Sequence, residues 1–354
     1  MTAPESAPNT ELRVAVIGLG YFSQFHLDAW NASTDVKLVA VCDPDQTTLN
    51  DICSRYDVPG FNEAADLFNQ CDPDIVDIVA PPDAHEKLVK LATRKDRLLV
   101  CQKPFCSSLA IAEATATEVD KAGARLIIHE NFRFQPWYRT LKEVLDSGEL
   151  GTVYQCRFDL RPGDGRGTDA YLARQPAFQN MQQFLVRETG VHFIDLFRWM
   201  FGDIETVYAD LRQLNPAISG EDAGNLIFNH ENGVVSVLDG NRLSDHAAEN
   251  HRMTMGELTI NAEHATVRLD GNGKLWKRPF QSNEEHAVTL THTVDPSSFG
   301  GGCVNALIQH VIKARLGKGS LENDVANYLP VMRVADACYE SNNRGEKIMV
   351  KKSI

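Results

Sequence analysis

Apolar residues come in short unbroken runs over the first third of the chain and in alternation with polar ones over the second. The segments 12–17, 36–42, 74–80, 97–101 and 125–128 each read as a strand buried on both faces. Helical stretches separate them: one running through Trp30, one over 82–95 and one over 108–122. This alternation predicts an α/β domain with a doubly wound parallel sheet over residues 10–130. From Val153 the pattern changes to longer strands with polar alternation, at 153–160, 207–214, 224–229, 234–239 and 253–260. Many strands with few crossover helices predict an α+β domain over 131–345, with an open, largely antiparallel sheet. Helices over 303–316 and 322–340 close the chain, the last a candidate to pack back on the first domain.

The first strand runs into Gly18-Leu19-Gly20-Tyr21-Phe22-Ser23 and then a helix. That is a dinucleotide fingerprint with serine in place of the third glycine. Gly18 permits the tight turn. Gly20 lets a pyrophosphate approach the helix N-terminus, with Tyr21 and Phe22 beside it. The second strand ends at Asp43, where an acid reads the adenine-ribose hydroxyls of a Rossmann cofactor. Pro44, Asp45 and Gln46 follow with no arginine, so NAD is favoured over NADP. Pro81 and His85 lie past another strand end and are candidates to flank the cofactor. His85 reads equally well as an ordinary residue of a helix start.

Gln102-Lys103-Pro104 follows the run 97–101. An ammonium just past a buried strand is partly desolvated and placed to hydrogen-bond a reacting oxygen. Alone, the tripeptide also fits an ordinary surface lysine. Glu188, His192 and Asp195 are spaced i, i+4, i+7 and so share one helix face. A histidine between two carboxylates suits proton transfer near neutrality, and Gly190 leaves room for close approach. The plainer alternative is an amphipathic helix with a solvated polar face. Gly163-Asp164-Gly165-Arg166-Gly167 is a candidate substrate lid, Arg166 included, or else a surface connection.

Together these features resemble the glucose–fructose oxidoreductase / inositol dehydrogenase (Gfo/Idh/MocA) family, from Leu12 to about Val350. Gln102-Lys103-Pro104 matches the family's Glu-Lys-Pro motif, with glutamine for glutamate. Glu188, His192 and Asp195 match its Asp-x-x-x-His-x-x-Asp helix, with glutamate for the first aspartate. The stretches 131–136 and 148–151 look like its interdomain junction, and the run 129–134 resembles its D-apiose-type aldose dehydrogenases. The resemblance implies hydride transfer to NAD from a secondary or anomeric hydroxyl of a sugar, cyclitol or sugar derivative. It implies His192 as general base, Lys103 as stabiliser of the alkoxide, and Glu188 as the group orienting His192. Gln102 would bond a ribose hydroxyl, and Asn131 and Asp195 join Arg166 as substrate candidates, although Arg133 and Asn131 also suit structural roles at the junction. The Lys103–Pro104 peptide is expected to be cis. The family implies a homodimer or homotetramer built by the second-domain sheets, with strands such as 234–238 exposing an apolar patch. A redox-neutral NAD-dependent glycosidase and a non-catalytic NAD-binding sensor remain as alternatives.

Composition narrows the partners. A net charge of −13 argues against nucleic acid, and no apolar run approaches a membrane span. Met1–Asn9 reads as a frayed start without an export signal. Eight cysteines form no Cys-x-x-Cys pair, which fits a reducing cytoplasm. His246, His251, His264 and His292 match no ligand spacing, so no metal is expected.

Overall fold

The computed structural model describes residues 11–351; Met1–Asn9, expected to be frayed, lies outside them. Contacts divide the chain into two units. One holds the residues up to His129 with Leu307–Ala326, the other Glu130–Ala306 with the residues from Asn327 on. The segment Leu307–Ala326, which the sequence pattern leaves in the second domain, thus groups with the first.

The first unit alternates strand and helix: β1 (Leu12–Ile17), α1 (Ser23–Asn31), β2 (Val36–Cys42), α2 (Gln46–Tyr56), β3 (Gly60–Phe61), α3 (Ala64–Gln70), β4 (Ile75–Ile78), α4 (Pro82–Ala92), β5 (Leu98–Cys101), α5 (Leu109–Lys121) and β6 (Arg125–Ile128). The six strands form one parallel sheet in the order β3-β2-β1-β4-β5-β6. Val14, Ala15, Val16, Val76, Leu99 and Val100 are fully buried, as a parallel sheet covered on both faces requires. Strand order reverses between β1 and β4, which opens a crevice beyond their carboxyl ends. α4 stops at Ala92, short of the predicted 95, where Thr93 turns extended and its hydroxyl donates to the Val89 carbonyl at 2.7 Å.

The second unit begins with α6 (Pro136–Asp146), which lies between the two stretches expected at the junction and which the sequence pattern does not predict. Pro136 at its first position starts the helix, and Trp137, Tyr138, Thr140 and Leu141 form its buried face. There follow β7 (Val153–Leu160), α7 (Val191–Phe201), β8 (Ile204–Arg212), β9 (Ala223–His230), β10 (Val235–Asn241), β11 (Gly256–Ala262), β12 (Ala265–Leu269), β13 (Leu275–Pro279) and β14 (His286–Val288). The chain closes with α8 (Cys303–Arg315), α9 (Val325–Arg344) and β15 (Ile348–Met349). β11 starts three residues later than the pattern suggests, because Met255 turns the chain with φ +62°. The nine strands run β14-β13-β12-β11-β7-β10-β9-β8-β15, antiparallel throughout except for β7 beside β10.

One face of this sheet packs under α7, with Phe158 against Phe193 at 4.1 Å and Phe197 against Phe228 at 6.1 Å. The other face mixes charged and apolar positions. Val234 and Leu238 are buried, and the outward side carries Arg157 and Asp239 as an ion pair, with Arg161 bound to Asp239 at 2.8 Å. Alternation along β10 turns Ser236 and Leu238 inward and Asp239 outward. Beside this charged ladder the same face carries a cross-strand apolar row, with exposed Tyr208 opposite exposed Ile227 and Ile227 opposite Val237, while Tyr154 is exposed on β7. No helix among the described residues is long and apolar enough to cross a membrane.

Candidate active site

The cofactor half of the site lies in the first unit. Gly18 has φ +93°, and a Cβ there would meet backbone atoms of Ala80 and Val79 at 2.6–2.7 Å. Only glycine therefore lets the β1 turn lie against the turn after β4. A Cβ on Gly20 would meet nothing within 4 Å, so the surface beside the α1 N-terminus is open to a bulky anion. Ser23, nearly fully buried, donates to the Gly20 carbonyl at 2.7 Å and holds the turn closed. Tyr21 is exposed, while Phe22 packs on Phe25 and His26. Asp43 accepts from the backbone N–H of Leu19 at 2.7 Å and of Asp45 at 2.8 Å. Its carboxylate is thereby fixed between the glycine turn and the end of β2, as a ribose reader requires. These residues fit a dinucleotide. Asp43→Ala is expected to weaken NAD binding and to improve NADP relative to NAD. A wild-type preference for NADP of about tenfold, or ~1.4 kcal/mol, in fluorescence titrations would contradict the assignment.

Two residues expected near the cofactor make internal hydrogen bonds. His85 is fully buried, with Nε2 2.8 Å from the Ala80 carbonyl and Nδ1 3.2 Å from the Pro104 carbonyl. Both nitrogens are turned to the backbone, so His85 ties the turn at Ala80 to the lysine turn. Burial pushes its pKa down, against the pull of the two carbonyls. Gln102 also faces inward: its amide meets His26 and His129, and its oxygen accepts from the Lys103 N–H. The ribose contact expected of it gives way to these internal bonds. Lys103 is half-buried at the end of β5, and the Lys103–Pro104 peptide is cis, as the resemblance implied. Burial lifts the Cys106 thiol to about 11 and, with Asp43 beside it, the Cys42 thiol to about 12. Neither is a nucleophile near neutrality.

The second unit holds the acid–base half, and here the helix-face reading fails in one respect. Residues Leu185–Gly190 form a π-helical turn before α7, whose wider pitch rotates Glu188 off the row. The carboxylate that accepts from His192 Nδ1 belongs to Glu130, which is fully buried. Phe132 stacks face to face on His192 at 3.9 Å, and its N–H donates to Glu130 at 3.3 Å. The imidazole is thus held from its edge and its face, with Nδ1 as donor and Nε2 left as the basic nitrogen. Glu188 instead accepts from Thr189 and from Arg242 at 3.3 Å. Asp195 is taken by Arg133 through two bonds of 2.9 and 2.5 Å. Burial still pushes its carboxyl above the ordinary range. It is a structural partner, no longer a substrate candidate. Asn131 is buried and its Oδ1 has no hydrogen-bond partner among the described residues.

The loop 163–167 is no free lid. Asp164 binds Arg242 at 3.0 and 3.2 Å, Asn215 donates to the Gly165 and Gly167 carbonyls, and Arg166 donates to the Leu243 carbonyl at 2.5 Å. Arg242, buried over the rings of Tyr171 and Phe184, joins this loop to Glu188 and Thr189. Burial opposes its charge, but Asp164, Tyr171 and Glu188 outweigh that and hold the guanidinium above its ordinary value. Nothing in the sequence around Arg242 marks it. Glu130 was legible only as an acid just past the end of β6. Among the expected non-ligands, His246 is bonded to the Arg161 carbonyl and to Thr254.

Residues 12–130 match the model of an oxidoreductase family with an NAD-binding Rossmann fold, and residues 138–268 match the GFO/IDH/MocA C-terminal domain. The chain is 30% identical to the D-apiose dehydrogenase of Paraburkholderia graminis over 346 residues, 95% of this chain and 89% of that protein. It is 29% identical to the D-apiose dehydrogenase of Rhizobium rhizogenes, over 96% of this chain and 97% of that one. The crystal structure of an oxidoreductase from Agrobacterium radiobacter in complex with NAD+, L-tartaric acid and magnesium superposes with a TM-score of 0.87. It is 27% identical and covers 96% of this chain and 99% of that one.

Proposed function

This chain belongs to the GFO/IDH/MocA family of oxidoreductases, and on that premise we propose that it oxidises a secondary or anomeric hydroxyl of an aldose, with D-apiose the first sugar to test. It is an NAD-dependent oxidoreductase acting on CH–OH groups. The buried Glu130–His192 pair carries the reading, because it presents one oriented basic nitrogen in a unit that full-length relatives share.

When bound, NAD supplies the hydride acceptor. The glycine turn and the α1 N-terminus receive its pyrophosphate, and Asp43 its adenosine ribose. His192 Nε2 takes the proton of the substrate hydroxyl. Glu130 keeps the Nδ1 hydrogen and balances the charge of the imidazolium as it forms. The Lys103 ammonium donates a hydrogen bond to the developing alkoxide and keeps its own proton. Asn131 offers an acceptor to a further substrate hydroxyl. Glu188, held by Arg242 and Thr189, bounds the same helix turn. We further place the protein in the cytoplasm, which eight free cysteines support, and as a homodimer or homotetramer.

The test is net NADH formation on D-apiose, other aldoses and cyclitols, compared with leaving-group release from aryl glycosides. NADH is expected to accumulate in proportion to the sugar consumed, with no leaving group released. Leaving-group release without NADH would replace the dehydrogenase with a redox-neutral glycosidase. NAD binding without turnover on any of these compounds would turn the reading to a sensor.

A further inference from the structure

Asp77 lies fully buried in β4. Its Oδ2 accepts from Trp30 Nε1 at 2.7 Å and from His26 Nδ1 at 2.7 Å. His26 Nε2 lies 2.9 Å from the amide nitrogen of Gln102, which in turn lies 3.2 Å from His129 Nδ1. The amide cannot be turned round, because its oxygen accepts from the backbone N–H of Lys103 at 3.0 Å. An amide nitrogen only donates. Both imidazole nitrogens facing it are therefore acceptors without a hydrogen. His26 gives its single hydrogen to Asp77 and is neutral; His129 is neutral with its hydrogen on Nε2. The two rings lie 4.1 Å apart, a distance that a pair of imidazolium ions would oppose.

We propose that Gln102 is a positioning residue for Lys103. Through the chain from the Asp77 carboxylate by His26 and Gln102 to His129 it fixes the backbone of the lysine-bearing turn and keeps the two imidazoles behind that turn uncharged. A carboxylate at position 102 would still accept from the Lys103 N–H but would have no hydrogen to give. The folded protein would then take up a proton, placed on His26 Nε2 or on the new carboxyl. The part assigned to Lys103 in turnover rests on the function proposed above, whereas the hydrogen positions do not.

Imidazole nitrogen-15 spectra of the whole protein at pH 7, assigned with single His→Gln substitutions, test the chain directly. In wild type, His26 Nε2 and His129 Nδ1 are expected to give unprotonated, pyridine-type signals. In Gln102→Glu at least one of these loses that character or the new carboxyl is protonated by its carbon-13 shift. The Lys103 side-chain carbon signal, assigned by its loss in Lys103→Met, is expected to move in both Gln102→Glu and Gln102→Met. With D-apiose and NAD, Gln102→Glu is expected to shift the pH profile of kcat by about one pH unit. Gln102→Met should lower kcat about tenfold with the NAD Kd held within about twofold. A hydrogen on His26 Nε2 in wild type overturns the chain. An unmoved Lys103 signal in both variants overturns the positioning role, and does so even if the protein turns over no sugar.

Discussion

Replacing Lys103 with methionine is expected to lower turnover about 10²-fold while NAD binding stays within about twofold of wild type. Methionine keeps the length of the stem and removes the charge. Lys103 is half-buried at the carboxyl end of β5, in a sheet whose strand order reverses between β1 and β4. The glycine turn proposed for the pyrophosphate follows β1, whereas Lys103 follows β5. The effect therefore falls on kcat, through the lost stabilisation of the alkoxide, and spares the cofactor. Steady-state kinetics with a sugar that the wild type oxidises, alongside NAD titration, measures both quantities. Unchanged kcat would remove Lys103 from the mechanism.

The larger effect is expected at Glu130. Glu130→Gln is expected to reduce kcat by about 10³-fold. The side chain is fully buried and holds two hydrogens, those of His192 Nδ1 and the Phe132 backbone. Both bonds end on Oε1, so glutamine with its oxygen there keeps the shape and both bonds but loses the charge that balances the imidazolium. If its NH2 group faces His192, the ring must move its hydrogen to Nε2, and the basic nitrogen is gone. The loss is expected in kcat with little change in thermal stability, since the cavity and the Phe132 stack are preserved. Thermal unfolding of the variant separates this outcome from a folding defect. A kcat equal to wild type would overturn the assignment of Glu130 as the partner of the base.

The first unit was legible because its signals are local. The run into Gly18 and Gly20, the helix behind them and Asp43 at the next strand end lie within 32 residues of one another, and each is set by its own sequence. The acid–base half was only half legible. His192 stood out, but its partner is 62 residues away, and no spacing rule reaches that far. The i, i+4 rule pointed to Glu188 because it assumes an unbroken α-helix, and the π-helical turn over Leu185–Gly190 breaks that assumption. Arg133 suited a structural role, and its partner is Asp195, which the same rule had set in line with His192. α6 escaped because its buried face is short, Trp137, Tyr138, Thr140 and Leu141 directly behind a proline. β12, β13 and β14 escaped because they are only three to five residues long, and take their strand form from neighbours supplied elsewhere in the chain.

Asp77 also bears on how the first unit finds its fold. β4 is a run of isoleucine and valine broken by one acid, and Val16 of β1 lies opposite that acid. A slip of β4 by one residue along β1 would carry the carboxylate to the opposite face of the sheet. His26 and Trp30, one turn apart on α1, would be left without their acceptor, and a bare charge would enter an apolar layer at a cost of several kcal/mol. Four apolar residues in its place would tolerate the slip. The buried acid thus works as an alignment key, admitting only the pairing in which the turns after β1 and β4 meet at Gly18.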